Sequence, residues 1–425
     1  MTHPGAQPPT PSGARSGARQ DEVRRHNLAT IIGQVHLEGP ISRADLTTRM
    51  GLNRSTIGAL TADLVAAGLV VELPGGGRGR RGDDGARILT GRPSHLVVPE
   101  SERIFVLAVD IRVECLVAAR VGLGGAIQDR LEVAHEHGRS LAEIAEVVAE
   151  LCAKLLAEAK HGATCLGVGV SVPGVVRRVD GMVRFAPNLR WVDEPGGELL
   201  TERLGLPTRI GNDADLGVVA ERMRGAGRGS DHVVHLSGEV GVGGGIIVGG
   251  RPLEGFGGYA GEVGHMRLNP DGRACRCGAR GCWETEIGEE ALLRAAGRER
   301  GRMATVNEVL AAAASGEPVA RAAVDQVLTW LGTGVGAIVN LFNPEVVIFG
   351  GILGQVFAAG PERVRAAMTV ATLAAPREQV RLEVAGLGAD SALLGAAELA
   401  FEPLLEDPLD TLARVRPGRR TRRQT

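Results

Sequence analysis

The sequence predicts an α/β protein of two successive units, preceded by a small α+β module on the winged helix-turn-helix plan. Three observations carry this. From Arg103 onward, apolar runs of strand length alternate with helical patterns, and a second such series begins near His232. Ahead of Arg103 the order is helix, helix, tight glycine turn, helix, two short strands. Inside the second unit, a glycine-rich stretch gathers three of the chain's six cysteines, Cys275, Cys277 and Cys282.

At 425 residues and 44% hydrophobic, the chain is long and apolar enough for two or three domains with real cores. The net charge of −2 averages unlike parts. Residues 1–100 hold 12 Arg against 9 acidic residues, so a mildly basic start sits on an acidic body and points to an anionic partner for the N-terminus. The only lysines are Lys154 and Lys160, so arginine is the general-purpose cation here and its clusters count for less. The cysteine spacing fits a metal site in a reducing cytoplasm, not a disulfide framework. Residues 1–20 are rich in Pro, Gly, Ala and Ser with no apolar centre, which predicts disorder and no secretory signal. The apolar run from Val327 to Phe342 is broken by Gly, Thr and Asn and reads as a buried helix, so no membrane partner is expected.

In order, the first module spans 21–100. A helix is predicted from Asp21 to Leu37, with Val23, Leu28, Ile31, Ile32 and Val35 inward. Ser42 caps a short helix, Arg43 to Met50, and Gly51-Leu52-Asn53 turns into a second, Arg54 to Ala67. Leu69 to Leu73 and Ser94 to Val98 are the expected two-stranded wing. The start of the second motif helix would enter a major groove, and Ser42, Asn53, Arg54, Ser55 and Thr56 are the expected DNA contacts there. Gly58 and Ala59 leave the next turn with little to read bases. Between the wing strands, Arg78, Arg80 and Arg81 stand among glycines and suit a narrow minor groove.

The first α/β unit, 101–225, should carry strands at 103–111, 115–121, 126–134 and 164–172, with a helix from Ser140 to Lys160. The second, 226–405, holds the cysteine loop, and 406–425 is expected to be a disordered basic tail. His265 precedes Cys275, Cys277 and Cys282, and the resulting Cys3His set is what a closed tetrahedral zinc site takes. Glu262 and Glu284 bracket the loop, so a metal would fix where both carboxylates point.

The pattern Gly261-Glu-x-Gly-His265, followed by Cys275-x-Cys-Gly-x-x-Gly-Cys-x-Glu284, resembles the signature of the ROK family of repressors, open reading frames and sugar kinases. The resemblance covers about residues 103–400. It implies a two-lobed, actin-like (ribonuclease H-like) fold with a cleft, zinc on the Cys and His residues, and sugar contacts from Glu262, His265 and Glu284. Val172-Pro-Gly, Asn188-Leu-x-Trp191 and Gly211-Asn-Asp213 resemble the family's sugar-side motifs. They add Asn188, Asn212 and Asp213, the last being the general base in the family's kinases. The N-terminal module fits its regulator branch.

The phosphate side departs from the kinase pattern. The family's D-x-G-x-T appears as Asp110-Ile-Arg112-Val-Glu114, and its G-T-G-x-G-G-G as Glu239-Val-Gly-Val-Gly-Gly-Gly245. An acid facing a phosphate about 4 Å away repels it by about 4 kcal/mol at an effective dielectric of 20. The expectation is therefore a non-catalytic, sugar-responsive transcription regulator, a repressor by resemblance, answering to a sugar or sugar phosphate and binding operator DNA as a homodimer or homotetramer. The competing readings are an ATP-dependent sugar kinase with an appended DNA-binding module, and a regulator with a vestigial cleft that answers to a protein.

Overall fold

The computed structural model describes residues 13–75, 94–136, 138–238, 240–298 and 303–415. The N-terminal module consists of α1 (Gly13–Glu38), β1 (Ile41–Ser42), α2 (Arg43–Met50), α3 (Arg54–Ala66), β2 (Val70–Leu73) and β3 (Leu96–Pro99). Ser42 caps α2, accepting the Asp45 N–H, and Asn53 caps α3, accepting the Thr56 N–H. Between the helices Gly51 takes φ 65°, a left-handed conformation that favours glycine. Leu28, Ile31, Ile32, Val35, Leu46, Ile57 and Leu64 form the core of the module.

Three expectations are corrected here. The wing has three strands, in the order β1-β3-β2, because Ile41 and Ser42 pair with β3; two residues are too few to show a period. α1 begins at Gly13, inside the stretch expected to be disordered. Once the buried turns downstream are nucleated, extending a helix through Ala- and Arg-containing sequence is inexpensive. Val23 is 54% exposed, because that end of α1 runs past the core. The wing-tip residues Arg78, Arg80 and Arg81 lie outside the described residues.

Lobe 1 follows with β4 (Ile104–Ile111), β5 (Cys115–Gly122), β6 (Ile127–Ala134), α4 (Leu141–Ala157), β7 (Thr164–Val172), β8 (Val175–Arg177), β9 (Met182–Ala186), β10 (Trp191–Glu194), α5 (Gly196–Leu204) and β11 (Thr208–Asn212). Ser140 and Glu143 form a reciprocal capping box at α4. The main sheet is ordered β11-β7-β4-β5-β6, and β8 to β10 form a small antiparallel sheet beside it. Strand β4 is buried along its whole length, as a central strand covered on both faces must be.

Helix α6 (Asp213–Arg224) leads into lobe 2. That lobe comprises β12 (Val233–Gly238), β13 (Val242–Val248), β14 (Arg251–Pro252), α7 (Glu284–Ile287), α8 (Glu289–Ala295), α9 (Met303–Ala314), α10 (Pro318–Phe342), β15 (Val346–Gly350), α11 (Gly351–Ala359), α12 (Pro361–Ala371), α13 (Ala374–Gln379) and β16 (Arg381–Val384). Its sheet runs β14-β13-β12-β15-β16. Both sheets thus follow one plan: an antiparallel meander of three strands with two parallel strands added to the first of them. Helix α10 is long and apolar enough to cross a membrane, yet 61% of its most apolar window is buried inside lobe 2.

The chain closes with α14 (Ser391–Glu406) and α15 (Pro408–Val415). The expected tail is therefore helical up to Val415, because Leu412 finds a buried seat. Helix α14 lies on β4 and β7 of lobe 1, and α6 is layered between α14 and strands β12 and β13 of lobe 2. Glycines let these layers touch backbone to backbone. A Cβ on Gly169 would stand 1.8 Å from the Ala396 carbonyl, one on Gly395 2.0 Å from that of Leu216, and one on Gly245 2.1 Å from that of Ala214. The core of the N-terminal module runs without a break into the apolar layer between lobe 1 and α14.

Candidate ligand site and metal centre

The cysteine loop is a miniature hairpin. The Cys275 N–H donates to the Ala279 carbonyl and the Gly281 N–H to that of Arg273. Gly281 takes φ 75°, and a Cβ there would lie 1.6 Å from the Asn269 carbonyl oxygen, so only glycine fits. Trp283 nails the hairpin to lobe 2: it is fully buried, and its indole N–H donates to the Trp330 carbonyl of α10 at 2.9 Å.

This folding brings one ligand atom each from His265, Cys275, Cys277 and Cys282 within 4.8 Å of one another. Cys277 and Cys282 Sγ are 3.7 Å apart, and Cys275 Sγ is 3.7 Å from His265 Nδ1. Zinc–sulfur bonds of about 2.3 Å at the tetrahedral angle require sulfur–sulfur spacings of about 3.8 Å. The electrostatics agree. Burial, then the neighbouring Glu284, pushes the Cys275 thiol up, and burial, then Cys277, pushes Cys282 up. Cys277 alone is lowered: burial opposes ionisation there, but the Ala279 N–H and the two neighbouring thiols outweigh it. Three adjacent thiolates need a cation among them. The cluster suits a metal ion.

Next to the cluster, between the lobes, is a cavity of about 500 Å³. All six residues expected to contact sugar line it: Asn188, Asn212, Asp213, Glu262, His265 and Glu284. Asn212 caps α6 through its oxygen, which accepts the Ala214 and Asp215 N–H groups, and its amide donates to the Gly174 carbonyl at 3.0 Å. One amide N–H of Asn212 is left over from these bonds. Asp213 opens α6, where the helix dipole favours its charge. His265 faces both ways: Nδ1 looks to Cys275, while Nε2 stands 3.9 Å from Glu262. Glu284 is not independent of the cluster, since its Oε1 is 2.8 Å from Cys275 Sγ. Burial, with Glu284 adding to it, raises the pKa of Glu262 against the opposing pull of His265.

Several residues escaped the sequence reading. Arg276, the residue between two of the cysteines, reaches across the cleft to the Asn188 Oδ1 at 2.6 Å and back to Glu290 at 2.5 Å. Arg273, Arg280 and Arg294 line the same wall, and the cation of Arg273 helps lower the pKa of Arg294 after burial. The cavity therefore offers carboxylates, amides and guanidinium groups together. Asp215, in the first turn of α6, has its pKa raised to about 7 by burial and then by Glu262, with Arg178 opposing. In a chain with 48 basic side chains, of which only two are lysines, such arginines carry no signal by themselves.

On the phosphate side, Arg112 donates to the buried Asp110 at 2.6 Å and to the Ala389 carbonyl at 2.6 Å. Its side chain folds back over the strand end. Glu114 is exposed at the β4–β5 turn, and Glu239 lies outside the described residues.

On the DNA side, Arg54 and Ser55 are exposed at the start of α3, and Thr56 is half-buried. The Ser42 hydroxyl is engaged with Asp45, and Asn53 Oδ1 accepts from Ser55 and the Thr56 N–H. Arg54 has no ion pair among the described residues.

Fold and cleft define an actin-like α/β body with a polar ligand cavity, joined to a winged helix-turn-helix module. The chain belongs to the ROK family, whose family model matches residues 106–402. A putative xylose repressor of Caldicellulosiruptor sp. (strain Rt8B.4) is 29% identical over 405 residues, covering 91% of this chain and 98% of that one. A glucokinase of Streptomyces coelicolor is 31% identical over 303 residues, covering 67% and 95%. Among solved structures, a ROK family transcriptional regulator homologous to the E. coli MLC protein superposes with a TM-score of 0.74 at 26% identity, over 93% of this chain and 99% of that one. A ROK glucokinase from Streptomyces griseus, in complex with glucose and AMPPNP, gives 0.60 at 30% identity, over 69% and 98%.

Proposed function

We infer that this chain is a sugar-responsive DNA-binding transcription regulator acting as a repressor. The observation that carries the reading is the coexistence, in one chain, of a winged module with a cleft lined by all six sugar-side residues. The full-length match to proteins named xylose repressors supports it. In this reading Asn188, Asn212, Asp213, Glu262, His265 and Glu284 hold the hydroxyls of a sugar or sugar phosphate. The arginine wall suits a phosphorylated ligand. Zinc, held by His265, Cys275, Cys277 and Cys282, braces the loop. Asn53, Arg54, Ser55 and Thr56 meet operator DNA, with Arg78, Arg80 and Arg81 of the wing and Ser42 nearby. The protein works in the cytoplasm as a homodimer or homotetramer.

A thermal-shift screen against aldoses and their phosphates tests the ligand class, since a specific ligand stabilises the folded state by mass action. No stabilisation by any of them would sink the reading. Phosphoryl transfer is the second reading, favoured by the glucokinase relatives. Arg112 speaks against it, because its guanidinium already occupies the Asp110 carboxylate. A coupled assay with sugar and Mg-ATP should show no turnover; a rate on the order of 1 per second, ordinary for kinases, would restore the kinase reading.

A further inference from the structure

Helix α6 has the ligand cavity at one end and the DNA-binding module at the other. Its cap Asn212 and first residue Asp213 line the cavity, and 12 residues on, about 18 Å at 1.5 Å per residue, its last residue Arg224 meets α1. The meeting point is a buried polar cluster. Arg224 Nε donates to Glu398 Oε1 of α14 at 2.9 Å, Nη1 to the Gly124 carbonyl at 2.9 Å, and Nη2 to the His36 carbonyl at 3.2 Å. His36 Nδ1 accepts the Gly124 N–H at 3.0 Å, and its Nε2 lies 2.7 Å from Glu398 Oε2 and 2.8 Å from Arg224 Nη2. His36 is 0% exposed and Glu398 4%. The other anchor of the helix end is Glu221, whose carboxylate accepts the N–H groups of Ala226, Gly386 and Leu387 and the Ser391 hydroxyl, tying α6 to the start of α14.

We propose that His36, Arg224 and Glu398 are the positioning residues that set the orientation of the DNA-binding module according to what occupies the cleft. The inference rests on the regulator reading above. The physical reason is that α6 is a short rigid rod and a guanidinium is a rigid planar fork. A ligand that pulls Asn212 and Asp213 tilts the rod, and Arg224 cannot keep its three acceptors, the Glu398 carboxylate and the Gly124 and His36 carbonyls, through a tilt. Leaving a buried charge half-paired is strongly unfavourable, so α1 and α14 re-seat together with α6. The cluster is thereby a two-state element that both sites bias, as linkage requires.

The test uses the full chain, a duplex selected by the wild-type protein from a random pool, and the aldose or aldose phosphate that raises its melting temperature most. Operator affinity is measured with and without that ligand, and ligand affinity by calorimetry, for wild type, His36→Asn and Glu398→Gln. Wild type should show a coupling of about 5-fold or more. Both variants should bind the ligand within about 3-fold of wild type while the coupling falls below about 2-fold. Hydrogen exchange on the wild-type protein keeps the question decidable if a variant misfolds: the ligand should change protection of residues 34–39 and 122–126. Coupling retained in a folded variant, or unchanged exchange in both segments, overturns the proposal. A wild type that binds the ligand and ignores it at the operator is a failure of the regulator reading itself.

Discussion

His265 offers one ring nitrogen to the cysteines and turns the other toward Glu262, so metal and ligand site share a wall. Cys277→Ser removes the thiol whose ionisation the loop favours. The variant should lose its zinc, about one ion per chain in wild type, and with it the thermal shift on adding ligand; full metal content by elemental analysis would contradict the assignment. Asp215 yields a pH signature. The folded protein keeps this proton up to about pH 7, whereas its ordinary pKa is 3.8. Across that window the folded state binds more protons than the unfolded chain, so stability falls as pH rises and levels off above about 7. Asp215→Asn should abolish this component, flattening melting temperature between about pH 4 and 7; an unchanged slope would show that burial is not holding the proton. That His265, Cys275, Cys277 and Cys282 gather in one cluster was legible in sequence, because their types and close spacing follow a tetrahedral pattern. Asp215 and Arg276 were not, since burial and reach across a cleft are properties of the folded backbone.

Helix α3 and its cap illustrate reading at the scale of an element. Its start at Arg54 follows from Asn53 as a cap after the Gly51 turn, and the helix begins there. The two-residue strand β1 was invisible because it exists only through pairing with β3. Arg54 is exposed and without an ion pair among the described residues, and it is the side chain of α3 proposed above to meet operator DNA. Arg54→Ala should weaken operator binding by about 1–3 kcal/mol and random-sequence binding by less. Equal losses in parallel titrations at one salt concentration would make it a phosphate contact. The stretch that forms α6, by contrast, was read only for the motif that holds Asn212 and Asp213, not as a helix. That the same helix ends against α1 depends on contacts between residues 188 positions apart, which no local pattern encodes.

For the whole molecule, the α/β class was legible because strand and helix periods switch at recognisable places, while the repeated five-stranded plan emerged only from pairing. Asp213→Asn tests the molecule as a unit. Asp213 is not one of the four residues of the Cys3His cluster, so the variant should keep its zinc and bind operator as wild type does without ligand, yet fail to respond when the aldose identified by thermal shift is added. A normal response would remove Asp213 from the ligand set.

The glycine contacts at 169, 245 and 395 carry a last consequence, for speed. Where side chains interlock, one layer can pass another only by jumping a whole ridge, and the change waits on many rotamers. Where backbone meets backbone there are fewer side-chain ridges to cross, and the small sliding of packed layers that separates two arrangements meets a lower barrier. The stack from β7 through α14 and α6 to β13 has three such contacts. Gly395→Ala would set a methyl group into the Leu216 carbonyl and roughen it. In a variant that still folds, exchange between lobe arrangements, read by NMR relaxation dispersion, should slow while the equilibrium response to ligand persists. How quickly a cell could register a change in its sugar supply would then be limited by how little, not how much, is packed at the centre of the protein.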